Sequence, residues 1–288
     1  GNDGFRLDGL GGLFGVSVSS AGDVNGDGFA DVITGALFDG PSNGYAGSSY
    51  VVFGKATGFT ATLEVSTLDG SDGFRLSGVG NGALGLSVSN AGDVNGDGFD
   101  DLIVSDIGAD PNGETSGSSY VVFGKNSGFD ATLDLSSLDG SNGFRLDGSA
   151  EYDFSGYSVS GAGDVNGDGF ADVIVSAPYA DSNGESSGSS YVVFGKAAGF
   201  DATLNLSSLD GNNGFRLDGL LGDGPRTTAS GAGDVNGDGF ADVIVGAPYA
   251  SSNGINGGGS SYVMYGKAGG FDAALDLSSI DSSKGFRV

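Results

Sequence analysis

Twelve aspartates and four asparagines of this chain fall into a single spacing written four times. The segment Gly-Asp-Val-Asn-Gly-Asp-Gly-Phe stands at 22–29, 92–99, 163–170 and 233–240, and two residues after each copy comes one more aspartate. Counted from the first aspartate, loop positions 1, 3, 5 and 9 carry Asp23, Asn25, Asp27 and Asp31 in the first copy. Asp93, Asn95, Asp97 and Asp101 follow in the second, Asp164, Asn166, Asp168 and Asp172 in the third, and Asp234, Asn236, Asp238 and Asp242 in the fourth. Alternate positions of a tight bend can direct their oxygens at one centre, and the chemistry of such a set is divalent-cation binding. Calcium, which takes six to eight hard oxygen ligands in a forgiving geometry, is the expected cofactor, one ion per loop and four in all. Magnesium keeps several waters and needs only one or two carboxylates. With no Cys and no His in the chain, thiolate and imidazole sites for zinc, copper or iron–sulfur clusters are excluded.

Glycines at loop positions 4 and 6 permit the positive φ that turns the ligands inward. Position 7, Phe29, Phe99, Phe170 or Phe240, is expected to add its carbonyl oxygen while the ring packs below. The helix–loop–helix calcium pattern shares this first half but needs a bidentate Glu at position 12. Here position 12 is Thr34, Val104, Val175 or Val245. The ligand set therefore closes at the ninth position, and a strand should follow. An ordinary Asn-Gly or Asp-Gly hairpin turn is the plainer reading of one copy. Four copies, each crowding three carboxylates into nine residues, would repel without a cation.

The elements that must hold these loops recur with them. Gly-Phe-Arg begins at 4, 73, 143, 214 and 285, intervals of 69, 70, 71 and 71 residues, a period that demands a repeat architecture. Within the third unit, small residues alternate with modest apolar ones at 157–162, Val173-Ile174-Val175 is continuous and β-branched, Tyr191-Val192-Val193-Phe194 is aromatic, and Phe215-Arg216-Leu217 alternates apolar with charged. That order of environments runs from hub to rim of a β-propeller blade. The expected fold is all-β: a propeller of four-stranded antiparallel blades, four in this chain, over one domain spanning 1–288. The units run approximately 10–78, 79–148, 149–219 and 220–288, with 1–9 as a closing outer strand. The alternative is part of a larger propeller or array completed by another chain. Arg6, Arg75, Arg145, Arg216 and Arg287 would sit on the outermost strand, where charge discourages edge-to-edge pairing. The stretch typified by 199–210 reads as a loop with a short helical turn.

These units resemble the FG-GAP repeats of integrin α-subunit β-propellers and their bacterial relatives along essentially the whole chain. The name-giving residues stand as Phe14-Gly15 and Gly246-Ala247-Pro248, with Ser176-Ala177-Pro178 a close variant. The resemblance implies a propeller with calcium in the loop joining strands one and two of each blade, and extracellular adhesion or recognition. It also departs in places. Ser105-Asp106-Ile107 replaces Gly-Ala-Pro in the second unit, and Gly224-Pro225-Arg226-Thr227 replaces the Phe-Gly region in the fourth. The metal ligands alone are carried over.

Composition narrows the partners. A net charge of −26 makes nucleic acid and anionic membrane poor ones, since phosphate binding needs a basic patch. No run of apolar residues is long enough for a membrane span. Calcium sites of extracellular affinity would stay empty in cytosol, which favours a secreted or cell-surface setting; the start at Gly1 looks like a mature or trimmed domain, and the chain is expected to be excised from a larger, bacterial protein. The loops joining strands two and three, Asp39–Ser48, Asp106–Ser118, Tyr179–Ser189 and Tyr249–Ser260, would share one rim and meet a protein or glycan ligand. Within them Asp110, Asn112, Glu114 and Asp181, Asn183, Glu185 are candidate second cation sites, though solvated loop is the plainer reading. A carboxylate glycosidase is the rival function, with Asp106, Glu151 and Asp153 as its candidates. A lectin-like binder using Tyr179 and Tyr249 is another. The principal reading is a non-enzymatic binding module.

Overall fold

Continuous β-branched and aromatic segments separated by glycine-rich bends give an all-β chain. The computed structural model describes residues 3–39, 46–80, 82–220, 227–251, 255 and 257–288. A short strand β1 (Arg6–Asp8) precedes four similar units. The first holds β2 (Phe14–Gly22), β3 (Asp31–Ala36), β4 (Ser48–Val52), β5 (Thr62–Glu64) and β6 (Gly73–Ser77). The second holds β7 (Leu84–Gly92), β8 (Asp101–Asp106), β9 (Ser118–Val122), β10 (Thr132–Asp134) and β11 (Gly143–Asp147). In the third lie β12 (Val159–Gly163), β13 (Asp172–Ala177), β14 (Ser189–Val193), β15 (Thr203–Asn205) and β16 (Gly214–Asp218). The fourth has β17 (Thr228–Gly233), β18 (Asp242–Ala247), β19 (Ser260–Met264), β20 (Ala274–Asp276) and β21 (Gly285–Arg287).

Each unit lays down four antiparallel strands in the order the sequence predicts, as in β2–β3–β4–β6. The prediction fails at the outer edge. The segment read as a loop also contains a three-residue strand, followed by a single turn of 3-10 helix such as Leu206–Ser208. That strand leaves its own unit and pairs in parallel with the Gly-Phe-Arg strand of the preceding one: Arg75 opposite Thr132, Arg145 opposite Thr203, Arg216 opposite Ala274. Units one to three thus become five-stranded sheets. Their arginines lie inside the sheet and cannot serve as edge protection. Arg145 and Arg216 instead grip Asp147 and Asp218 two residues on, through Nε and Nη2.

Phenylalanines rivet these seams. Phe74 stacks on Phe129 at 4.3 Å, Phe144 on Phe200 at 4.2 Å and Phe215 on Phe271 at 4.5 Å. Over the outer ring of each pair sits the ammonium of Lys125, Lys196 or Lys267, 4.9 Å from the centroid, where the ring's negative face attracts it. The core is correspondingly built between sheets. One cluster joins Ile33, Val51 and Phe74 of the first unit to Leu102, Val104 and Val122 of the second, and the next two joints repeat it.

The sheets do not close into a ring. Inner strands pack in succession, β2 on β7, β7 on β12 and β12 on β17, and among the described residues no packing of that order returns from β17 to β2. The leading strand β1 lies on β5 as a separate two-stranded sheet, with Arg6 opposite Thr62. It holds against the first unit the place that each outer strand holds against the next.

Candidate metal centres

The four repeated loops join the first and second strands of each unit, and their backbones are near copies. Glycines at positions 4 and 6 have φ of 71° and 88° in the first loop and 74° and 91° in the third, the left-handed region the bend requires. The first aspartate organises the turn. Asp164 Oδ1 accepts from the amides of Gly167 and Asp168 at 2.7 and 3.0 Å, and its Oδ2 accepts from Gly169 at 2.9 Å. Asn166 Oδ1 accepts from the Asp168 amide at 2.9 Å, and Asp168 Oδ1 from that of Phe170 at 3.0 Å. Asp93, Asn95 and Asp97 repeat the pattern, as do Asp234, Asn236 and Asp238. Asp23, Asn25 and Asp27 keep the bonds to the amides of Asp27, Gly28 and Phe29 at 2.9 to 3.0 Å. Side chains of positions 1, 3 and 5 are thereby fixed on one exposed loop by amides that a short polar side chain alone can reach.

The ninth aspartate has a task that the spacing did not reveal. Asp31, Asp101, Asp172 and Asp242 are buried. Each takes one amide from loop position 2 and another from the glycine two residues past the third strand. For Asp172 these are Val165 at 2.8 Å and Gly195 at 2.9 Å, and for Asp101 Val94 at 2.8 Å and Gly124 at 2.9 Å. One carboxylate thus ties the loop to a strand 23 residues further on. Burial pushes Asp31 up to about 6 and both Asp101 and Asp172 up to about 8, against the opposing pull of those two amides, and the aspartates at positions 5 and 1 raise them further.

Among the described residues, no three Asp, Glu, His or Cys side chains stand close enough to enclose an ion by themselves. The donors of these loops are more mixed than that: two carboxylates, an amide oxygen, the carbonyl of Phe29 or its equivalent, and the ninth carboxylate. Every one is an oxygen. No Lys or Arg pairs with a loop carboxylate among the described residues, where the ion pairs are Arg6–Asp8, Arg75–Asp39, Arg145–Asp147 and Arg216–Asp218. An all-oxygen set with no basic partner among the described residues fits a hard divalent cation.

The position-7 phenylalanine packs across units. The Phe99 ring covers Gly26 of the preceding loop so closely that a Cβ there would fall 2.3 Å from it, and Phe170 covers Gly96 and Phe240 covers Gly167 in the same way. Phe29 is exposed.

Other candidates do not assemble. Asp106 and Asp153 are buried in different units, each pushed up to about 6 by burial. The charges that reach them are Asp110 for one and Asp181 and Arg216 for the other, so they form no facing pair. Glu151 is exposed. In the loops between strands two and three, Asp110 and Asp181 cap the Thr115 and Ser186 amides at 2.7 Å, and Glu114 accepts from the Tyr152 hydroxyl at 2.5 Å. Asn112 and Asn183 reach away to the carbonyls of Gly148 and Gly219. Tyr179 and Tyr249 are exposed, Tyr179 with its ring 5.2 Å from Phe154. Parts of the first and last rim loops, 40–45, 252–254 and 256, and residues 224–226 of the departure in the fourth unit, lie outside the described residues.

The FG-GAP repeat family model matches residues 14–52, 155–193 and 227–264, each running from the first strand of a unit to its third. Integrin alpha-4 of Xenopus laevis is 30% identical over 176 residues, covering 60% of this chain and 15% of that protein. Integrin alpha-2 of Mus musculus is 34% identical over 177 residues, 60% of this chain and 13% of that protein. Integrin alpha pat-2 of Caenorhabditis elegans is 30% identical over 249 residues, 80% of this chain and 17% of that protein. The chain spans about a sixth of the length of these relatives.

Proposed function

Taking the chain as an FG-GAP repeat protein similar to integrin alpha subunits, we propose that it is a calcium-stabilised extracellular β-propeller module for adhesion or ligand recognition. Its four blade units form one domain, each carrying a cation in the loop between its first and second strands. The observation that supports this best is the fourfold recurrence of one loop geometry, its carboxylates fixed by backbone amides and matched by no basic partner among the described residues. Asp23, Asn25, Asp27, Asp31 and the carbonyl of Phe29 would hold the first ion, and the equivalent residues the other three. A bound calcium would supply two positive charges to three clustered carboxylates.

The residues then do the rest. The first aspartate sets the turn, the ninth anchors it to the end of the third strand, and the loop's position-7 ring fastens it to the preceding unit. Loading the loops therefore stiffens the joints between units, and the rim loops between strands two and three ride on that scaffold to meet a protein or glycan partner. At calcium about tenfold above the dissociation constant, each independent site adds roughly 1.4 kcal/mol to stability. Calorimetric titration of chelator-treated protein should return four sites, and calcium should raise the melting midpoint. No heat of binding together with an unmoved midpoint would defeat the reading.

A further inference from the structure

Every joint between consecutive units buries the same residues, and the two outermost faces of the stack carry both halves of that joint unburied. On the first unit, Val18 is 73% exposed and Val32 37%, where their equivalents Val88, Val159, Leu102 and Val173 are buried. On the fourth, Val235 is 50% exposed and Phe286 38%, where Val24, Val94, Val165, Phe74, Phe144 and Phe215 are buried. The details interlock. Among the described residues the Phe29 ring covers no calcium-loop glycine, while Gly237, the loop glycine that such a ring would cover, has nothing within 4 Å of a Cβ. The amides of Lys125, Lys196 and Lys267 each donate to a carbonyl of the preceding unit, Val24, Val94 or Val165, at 2.9 Å. Among the described residues, the Lys55 amide and the Val235 carbonyl are the two halves of that bond left without a counterpart. Finally, the one aromatic ring beside Phe286 among the described residues is that of Tyr265, while Phe59, which should receive an outer-strand phenylalanine, is stacked at 4.0 Å on Phe5, the residue just before β1.

We propose that the fourth-unit face of one molecule docks on the first-unit face of a second copy of this chain, rebuilding the internal joint between molecules. In that joint β21 of one copy takes the place of β1 on β5 of the next, because both are Gly-Phe-Arg strands and β1 already sits in the register that β6, β11 and β16 use. The contact is head-to-tail, so it closes into a ring or extends as a filament, depending on the rotation per copy. The loops' cation chemistry is not needed for it.

Sedimentation velocity and light scattering at physiological salt, from micromolar to submillimolar protein, test this. The natural chain should gain mass with concentration. Val18→Asp, on the first face, and Phe286→Asp, on the last, should each stay monomeric alone, and their mixture should form a one-to-one dimer, since it contains one intact copy of each face. Circular dichroism matching the natural chain establishes that the variants fold. A chain lacking residues 1–9 should associate at least several-fold more tightly, because β5 is then free. A natural chain that stays monomeric throughout, a single-face variant that dimerises with itself, or a truncated chain no tighter than the full one would each overturn the proposal.

Discussion

Asp106 should destabilise the native protein at neutral pH, and replacing it with asparagine should restore what is lost. Its carboxyl is fully buried at the end of β8, where the other units have Ala36, Ala177 and Ala247. Oδ1 accepts from the Ala83 amide at 2.6 Å and the Gly108 amide also pulls on the carboxylate, but among the described residues Oδ2 has no hydrogen bond within normal geometry. Burial lifts its pKa from the ordinary 3.8 to about 6. The sign follows from proton counting. Between those two values the folded chain holds a proton that the unfolded chain has released, so stability falls as pH rises through this window. The cost is absent below about pH 4 and complete above about pH 6; at 1.36 kcal/mol per unit it amounts to about 3 kcal/mol. Asp106→Asn keeps the acceptor for Ala83 and never ionises. Urea unfolding of both proteins across the range should show equal stability near pH 4 and an asparagine variant more stable by about 3 kcal/mol near pH 8. A difference independent of pH would refute the argument, since packing changes do not titrate.

Other expectations are as direct. Asp234→Ala removes the carboxylate that accepts from three amides and a candidate ligand from the fourth loop, and calcium stoichiometry by calorimetry should drop from four to three. Gly167→Ala should lose more stability than Gly237→Ala, by about 1–3 kcal/mol in thermal or urea melts, because both carry positive φ but only the first would drive a Cβ into the Phe240 ring. Phe144→Ala empties a fully buried site stacked on Phe200 and should cost about 3–5 kcal/mol by urea unfolding.

The bends were legible because they are local: nine residues fix the turn and the strand that follows it. Four strands per unit were legible through residue character, since each environment leaves its own composition. The fifth was not. Thr132-Leu133-Asp134 is too short to show a period, and its partner, Arg75-Leu76-Ser77, lies 57 residues earlier, so only the pairing makes it a strand. The same blind spot misplaced Arg75, Arg145 and Arg216, which look like edge charges until the neighbouring unit covers them, whereas Arg287 does lie on the outer strand of its sheet. The second role of the ninth aspartate was hidden for a related reason: a residue that fits a ligand position offers no sign that two distant amides also claim it. Closure into a ring depends on the rotation between sheets, which no residue spacing encodes.

A sheet whose last strand comes from its neighbour has no natural border at the sheet itself. The chain is better divided like overlapping roof tiles, where any cut between sheets strips one tile and leaves another half-covered. Removing a full period, from one Gly-Phe-Arg to the next, leaves every overlap equivalent, because Arg75, Arg145 and Arg216 meet Thr132, Thr203 and Ala274 in the same alignment. Copy number is then free to drift by whole periods through gene duplication or loss, while a breakpoint anywhere else in the period exposes a strand and is removed by selection.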